Sequence, residues 1–402
     1  MILSTVPVLS VAEVLKTGYN TIIHIKNNLM IQSKTKIKSL FALLLITLFF
    51  SGCYAQDNET VVTSVLGNAV PSTVLDTKID SIVRSIDMPG LSIAIVNESK
   101  LVYHNTFGVV NAETKEPVGE KTIFEGASLS KPIFAYFVMK MVEKGKLDLD
   151  KPLYEYLPHP GTAETSQEDY KLITTRMVLS HRTGFPKHSE GKDIELAFKP
   201  STDFEYSGEA FQYLAAVIGK LNDIGFKSDL NALFQKEVTE PLDMTHSTFI
   251  WDGHLAKHKA FGHDENGKPT QNNPSYGGWS GKTFNAYSSL HSEAKEYAQF
   301  LIALLEGKGL KSKTFTEMFK EHTHFKEDNP LKQQIGQTGW GLGMAQKPTE
   351  YGMMHMHTGN NHDIQSYMMV LPEKEFGIVF FTNSNKAIPF IQGLNSIIGP
   401  VF

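Results

Sequence analysis

The sequence predicts an α+β fold: one antiparallel sheet built from N- and C-terminal segments, flanked by helices, with a helical region inserted between them. Three observations predict it. Residues 91–96 and 101–107 are β-rich runs separated by Asn97-Glu98-Ser99-Lys100, a hairpin signal. Residues 367–371 and 376–382 flank Pro372-Glu373-Lys374-Glu375, a second hairpin signal near the other end. The stretch from 146 to 285 reads as helices and loops rich in Pro, Gly and His.

Composition sets the outer limits. The chain has 402 residues, 41% hydrophobic and 20% charged, which suits a globular protein with a sizeable core. Net charge is -5; the first 52 residues carry +4, leaving -9 for the rest. An acidic balance without a basic block excludes nucleic acid as the main partner. A single cysteine excludes an intrachain disulfide, Cys-rich zinc modules and iron–sulfur clusters.

Residues 1–52 read as a signal and upstream extension. Lys34, Lys36 and Lys38 precede an apolar run from Leu40 to Phe50, broken only by Thr47. A membrane span needs about 20 residues, so the run is too short to cross and stay. A basic n-region, a short apolar core and small residues after it make an export signal. The n-region reads naturally from Met30, and residues 1–29 are either an upstream extension or a long n-region. Two endings fit. Phe50-Ser51-Gly52-Cys53 resembles a bacterial lipobox with Cys53 lipidated, although Phe50 stands where Leu is usual. Alternatively Cys53-Tyr54-Ala55 is a cleavage site before Gln56. Both predict an exported bacterial protein, periplasmic or a membrane-anchored lipoprotein, touching membrane only through that anchor.

Residues 53–70 are polar and read as a tether, and 71–402 as one domain. Within it, 71–145 and 286–402 supply the α/β part and 146–285 the helical insertion. The first helix places Val74, Ile79, Ile82 and Val83 on an apolar face and ends near Pro89-Gly90. From Ser128 to Gly145 the pattern is apolar almost all round, which predicts a buried helix. Pro132 falls in its first turn, where proline is tolerated, and Gly145 stops it. Further helices are predicted over 291–306, ending at Gly307, and over 386–398.

Ser128-Leu129-Ser130-Lys131 opens that buried helix. Residues i and i+3 share a helix face, so Lys131 can reach the Ser128 hydroxyl. A lysine beside a buried helix loses solvation, which lowers its pKa and leaves a free amine able to take a proton. The helix N-terminus offers unpaired N–H groups to a developing oxyanion. Ser130 competes as nucleophile or N-cap, but Ile133 stands at its i+3 position.

The segment from Phe124 to Pro132 resembles the nucleophile segment of the penicillin-recognising serine hydrolases, in the branch of class C β-lactamases, D-alanyl-D-alanine carboxypeptidases and related esterases. The resemblance continues in order. Ser92-Ile93-Ala94-Ile95-Val96 after Pro89-Gly90 resembles the first strand, and residues 145–153 the segment after the nucleophile helix. Residues 173–184 are similar to "ITIRHLLTHTSG" and Glu240-Pro241-Leu242-Asp243-Met244 to "EPLGM". Trp340-Gly341-Leu342-Gly343 and Phe381-Thr382-Asn383 complete the set. The resemblance implies a β-lactamase/transpeptidase-like fold, a small-molecule or peptide acyl substrate, an acyl-enzyme on Ser128 and no metal or organic cofactor.

It also implies roles for other residues. Tyr206-Ser207-Gly208 aligns with a Tyr-x-Asn motif, which makes Tyr206 a partner of the serine oxygen, as phenolate or proton relay. Gly208 departs from the Asn that helps hold the lysine and the substrate amide, which favours an ester or D-peptide hydrolase over a true β-lactamase. His357-Thr358-Gly359 fits the third motif, with His357 polarising the site or binding a substrate carboxylate. The backbone N–H groups of Asn360 and Ser128 would form the oxyanion hole. A stable acyl-enzyme without turnover would instead mark a sensor on the same scaffold.

Other signals carry less. His355, His357 and His362 crowd together, yet no carboxylate with hydrolase spacing accompanies them, so they are not read as a metal site. His181 is read as structural. Gly281-Lys282-Thr283 lacks the earlier glycine of a phosphate-binding loop, since Tyr276 stands there. No G-x-S-x-G elbow occurs. Tyr276, Trp279 and Trp340 either line a cleft or pack.

Overall fold

The computed structural model describes residues 59–402 except 226 and 271–280, together with residues 18, 20, 24, 26 and 30. The export signal, the Cys53 lipobox, Tyr276 and Trp279 lie outside the described residues.

A short hairpin opens the described chain: β1 (Val61–Thr63) pairs with β2 (Ala69–Pro71). Residues 61–70 are therefore not a tether. The hairpin buries Val62, Val65 and Val70, and the Val65 N–H donates to the Ile398 carbonyl at 2.9 Å. Three buried valines in a mostly polar stretch dock it. Helix α1 (Ser72–Ser85) follows and buries Leu75, Ile79 and Val83 at helical spacing. Val74, expected on that face, is 38% exposed because the face turns through Leu75 instead.

Strands β3 (Gly90–Asn97) and β4 (Lys100–Gly108) form the first hairpin, turning through Glu98 and Ser99 at φ 48° and 56°. Next comes β5 (Phe124–Ala127), which leads into α2 (Ser130–Glu143). The helical region holds α3 (Thr175–Leu179) and α4 (Gly208–Leu221), and ends before β6 (Leu290–Ser292), which pairs with β5 in a ribbon apart from the main sheet. That pairing delays α5 (Ala294–Glu306), whose N-cap is Glu293 and whose end is Gly307 at φ 69°.

The remaining strands are β7 (Thr323–His324), β8 (Gly339–Trp340), β9 (Ala345–Thr349), β10 (Gly352–Asn360), β11 (Gln365–Leu371) and β12 (Phe376–Thr382), followed by α6 (Ala387–Ile398). The sheet order is β4-β3-β12-β11-β10-β9-β8-β7, every pair antiparallel. The first hairpin thus docks on the last strand, and the two ends of the chain share one sheet, as the hairpin signals predicted.

Side chains alternate across this sheet with period two. Ala94, Val96, Val379 and Phe381 face α2 and α5 in one core. Leu91, Ile93, Ile95, Ile378 and Phe380 face α1 and α6 in the other. Burying each large side chain stabilises the fold by about 1.5–3 kcal/mol. Residues 130–139 of α2 are all buried, which explains a helix apolar all round and fixes its N-terminus between sheet and helical region. Residues 59–402 make one contact unit. Among the described residues no helix is long and apolar enough to cross a membrane.

Candidate active site

Ser128 lies in the turn between β5 and α2, partly exposed, because the helix begins at Ser130 and not at Ser128. The preceding Ala127 sits at φ 46°, left-handed backbone that costs a non-glycine residue about 1–3 kcal/mol. Ser130 holds this kink: its hydroxyl donates to the Ala127 carbonyl at 2.6 Å and accepts from the Leu290 N–H at 3.0 Å. Ser130 is fully buried in that role, which removes it as a nucleophile.

Lys131 Nζ lies 3.3 Å from Ser128 Oγ and donates to the Tyr287 carbonyl at 2.9 Å. The ammonium position is 4.5 Å from the Tyr206 ring centre and 5.4 Å from that of Tyr287. Lys131 is 1% exposed, and burial, with a smaller push from Lys187, drives its pKa well below the ordinary lysine value. A lysine so placed gives up its own proton more readily than a solvated one and is within reach of the serine hydroxyl.

Tyr206 sits just before α4, whose N-cap is Ser207. Its backbone is pinned on both sides: the Glu205 N–H donates to the His181 carbonyl at 3.0 Å, and the Ser207 N–H to His181 Nδ1 at 3.1 Å. The His181 ring also packs against Tyr206, tilted by 35°, at 4.5 Å between centres. Burial raises the Tyr206 pKa above the ordinary phenol value, and its hydrogen bond to Ser128 opposes this only in part. Tyr206 is thus a neutral phenol at rest, a relay and not a standing phenolate.

The third element lies where β10 outruns its neighbour. β9 pairs with residues 352–356 of β10, whereas β11 continues to Asn360. The freed edge from His357 to Asn360 turns toward β5. Gly359 makes the approach: a Cβ there would lie 2.1 Å from Ser366 Oγ and 2.4 Å from the Gly126 carbonyl. Thr358 and Asn360 are exposed at the rim. Gly359→Ala is expected to lower kcat by about 10²–10³-fold, the effect of spoiling one oxyanion donor. Steady-state kinetics on the variant check it.

His357 is not the cation that a substrate carboxylate would need. It is 3% exposed, and burial, with Lys131 nearby, pushes its pKa down to about 3. Its Nδ1–H donates to the Thr358 carbonyl at 2.8 Å, so Nε2 presents a lone pair. Its ring lies 6.0 Å from that of Tyr206 and 5.5 Å from that of Trp340. Trp340 is 4% exposed and packs against Tyr206, His181 and His357 as the floor of the site.

Gly208, where the motif departs, has its space taken. A Cβ at 208 would lie 2.9 Å from Tyr287 Cδ2 and 3.0 Å from the Lys187 carbonyl. Tyr287 thus fills the room above Gly208 and supplies the lysine with a carbonyl acceptor. Sequence reading missed Tyr287, since any residue can offer a backbone carbonyl, and took His181 as structural without placing it under Tyr206. His355 packs on Phe319 at 4.4 Å, and among the described residues no three His, Cys, Asp or Glu side chains are grouped to hold a metal.

Ser128, Lys131, Tyr206 and the 357–360 edge therefore converge. A family model described as Beta-lactamase matches residues 75–397. Protein flp of Staphylococcus aureus (strain MRSA252) is 23% identical over 334 residues, covering 78% of this chain and 63% of that protein. The chain thus spans less than two thirds of that relative's length. A β-lactamase of Pseudomonas fluorescens is 27% identical over 209 residues, covering 50% of this chain and 57% of that protein. Among solved structures, the octameric penicillin-binding protein homologue from Pyrococcus abyssi superposes with a TM-score of 0.66 at 22% identity, covering 80% of this chain and 76% of that one. The crystal structure of SurE gives 0.67 at 20% identity, covering 81% and 75%. At these identities the likeness to the two structures is one of fold.

Proposed function

The chain belongs to the β-lactamase family, a family of serine hydrolases sharing this fold, and from that premise we propose that it is an exported hydrolase acting through an acyl-enzyme on Ser128. The observation that carries this is the buried Lys131 amine at 3.3 Å from Ser128 Oγ, its pKa driven down by burial. Its lone pair takes the hydroxyl proton as Oγ attacks the substrate carbonyl carbon. The oxyanion is met by the N–H groups of Ser128 and Asn360, and Tyr206 passes the proton on to the leaving group. Water then attacks the acyl carbon, returns a proton to the site and frees Ser128. No metal or organic cofactor enters these steps.

The substrate class we propose is an ester or a D-amino-acid-containing peptide or amide, ahead of a β-lactam. Two features support this order. The Tyr287 ring occupies the room a side chain at 208 would need to hold a substrate amide. His357 carries no charge to bind the carboxylate of a β-lactam. The signal over 34–53 supports export, with a lipid on Cys53 or cleavage before Gln56.

The test mixes the full chain with p-nitrophenyl butyrate and, separately, a chromogenic cephalosporin, following chromophore release and intact mass. The expected result is fast ester turnover through a mass gain of one acyl group, with slow cephalosporin turnover. A cephalosporin rate above the ester rate would reverse the substrate order. A lasting adduct without turnover would make the protein a sensor, and no adduct with either compound would overturn the reading.

A further inference from the structure

A buried ion pair lies behind the nucleophile strand and reaches the far side of the oxyanion hole. Glu125 is the second residue of β5, three before Ser128, and is 7% exposed. Its Oε1 lies 2.9 Å from Lys259 Nζ, and its Oε2 accepts from Asn361 Nδ2 at 2.8 Å. Lys259 is 3% exposed and Asn361 8%. One carboxylate thus joins the nucleophile strand, the segment at 259 and the residue directly after Asn360.

We propose that Glu125 is a positioning residue of the oxyanion hole: by holding Asn361, it fixes the Asn360 N–H relative to the Ser128 N–H. The inference rests on the serine-hydrolase reading given above.

The local backbone shows why a hold is needed there. Past Met356, β10 has no partner in β9. The chain then turns sharply: the Asp363 N–H donates to the Asn361 carbonyl at 2.9 Å and His362 sits at φ 66°. Besides this tie, Ser366 Oγ donates to the Gly126 carbonyl at 2.7 Å, so β5 is linked to the β10–β11 end at two successive residues. A hydrogen bond to an ionised carboxylate is shorter and stronger than a neutral one, which suits a part that must not drift. Burial alone would push the Glu125 carboxyl upward, but Lys259, His291 and the two hydrogen bonds hold it below the usual carboxylate range.

Removing Glu125 alone would strand the Lys259 charge and blur cause with misfolding. The test therefore uses the full chain with Asn361→Leu, which deletes the donor and leaves the ion pair. Glu125→Gln/Lys259→Met removes both charges together and leaves Asn361 an acceptor. Single-turnover acylation by p-nitrophenyl butyrate and amide hydrogen exchange over residues 355–366 are measured on each. For Asn361→Leu the expected result is acylation slowed by about 10²-fold, the penalty of a misplacement near 1 Å, with faster exchange in that segment. Apparent ester affinity should stay within about threefold of native, since ground-state contacts are untouched. The double variant, whose neutral amide still accepts from Asn361, should acylate at a rate between native and Asn361→Leu.

Native-like acylation and exchange in Asn361→Leu would overturn the proposal. So would a double variant as slow as Asn361→Leu, or slow acylation with unchanged exchange. If the native chain forms no adduct, the hydrolase reading fails; the exchange arm still decides the hold, and unchanged exchange rejects it.

Discussion

Replacing Lys131 with methionine is expected to slow acylation by about 10²–10⁴-fold, the range of a lost general base, and to improve stability relative to the native chain as the pH falls. The first effect follows from geometry. Nζ is the group 3.3 Å from Ser128 Oγ with a lone pair to offer, and Tyr206 is held as a phenol that cannot replace it. The second follows from linkage. Burial pushes the Lys131 pKa well below its unfolded value near 10.4. Between those two values the unfolded chain binds a proton that the folded chain does not. Native stability at Lys131 is therefore lowest at low pH and recovers as pH rises toward the unfolded pKa. Methionine has no such dependence, so the midpoint difference, variant minus native, should shrink between pH 7 and pH 10. Thermal melts at three pH values read it directly. A difference that stays constant, or grows with pH, would show that Lys131 is charged in the fold.

Replacing Ser128 with alanine is expected to remove the acyl adduct and to lower turnover by about 10⁴-fold or more, as loss of a nucleophile does. No neighbour can take over. The Ser130 hydroxyl is buried and engaged with the Ala127 carbonyl and the Leu290 N–H. The fold should be unaffected, because Ser128 is partly exposed in a turn and the Ala127 kink is held by Ser130. An adduct on the alanine variant, located by peptide mapping, would move the nucleophile elsewhere.

Much of this was legible in the sequence, and what was not has physical causes. The β-rich runs at 91–96, 101–107, 367–371 and 376–382 announced both hairpins, because strands buried on both faces, as β3, β11 and β12 are, read as near-continuous apolar runs. The spacing from Ser128 to Lys131 survived even though the helix starts two residues later, since the intervening turn has nearly helical geometry. The segment at 61–70 was misread because Val65 docks on a helix end more than 300 residues away in sequence. The sequence left His357 either polarising the site or binding a carboxylate, because desolvation cannot be seen in a motif; only the fold shows the ring enclosed between Trp340 and Tyr206. Tyr287 and the Glu125–Lys259–Asn361 tie join residues more than a hundred positions apart, and neither has a local pattern.

The most direct test of the central claim, that an uncharged Lys131 activates Ser128, is the pH dependence of single-turnover acylation by p-nitrophenyl butyrate in the full chain and in Tyr206→Phe. The account predicts one ascending limb with its midpoint well below the ordinary lysine value, at the same pH in both proteins, with the Tyr206→Phe plateau lowered. A limb near 10 in the native chain, or one that vanishes with Tyr206→Phe, would contradict it and make the tyrosine the base.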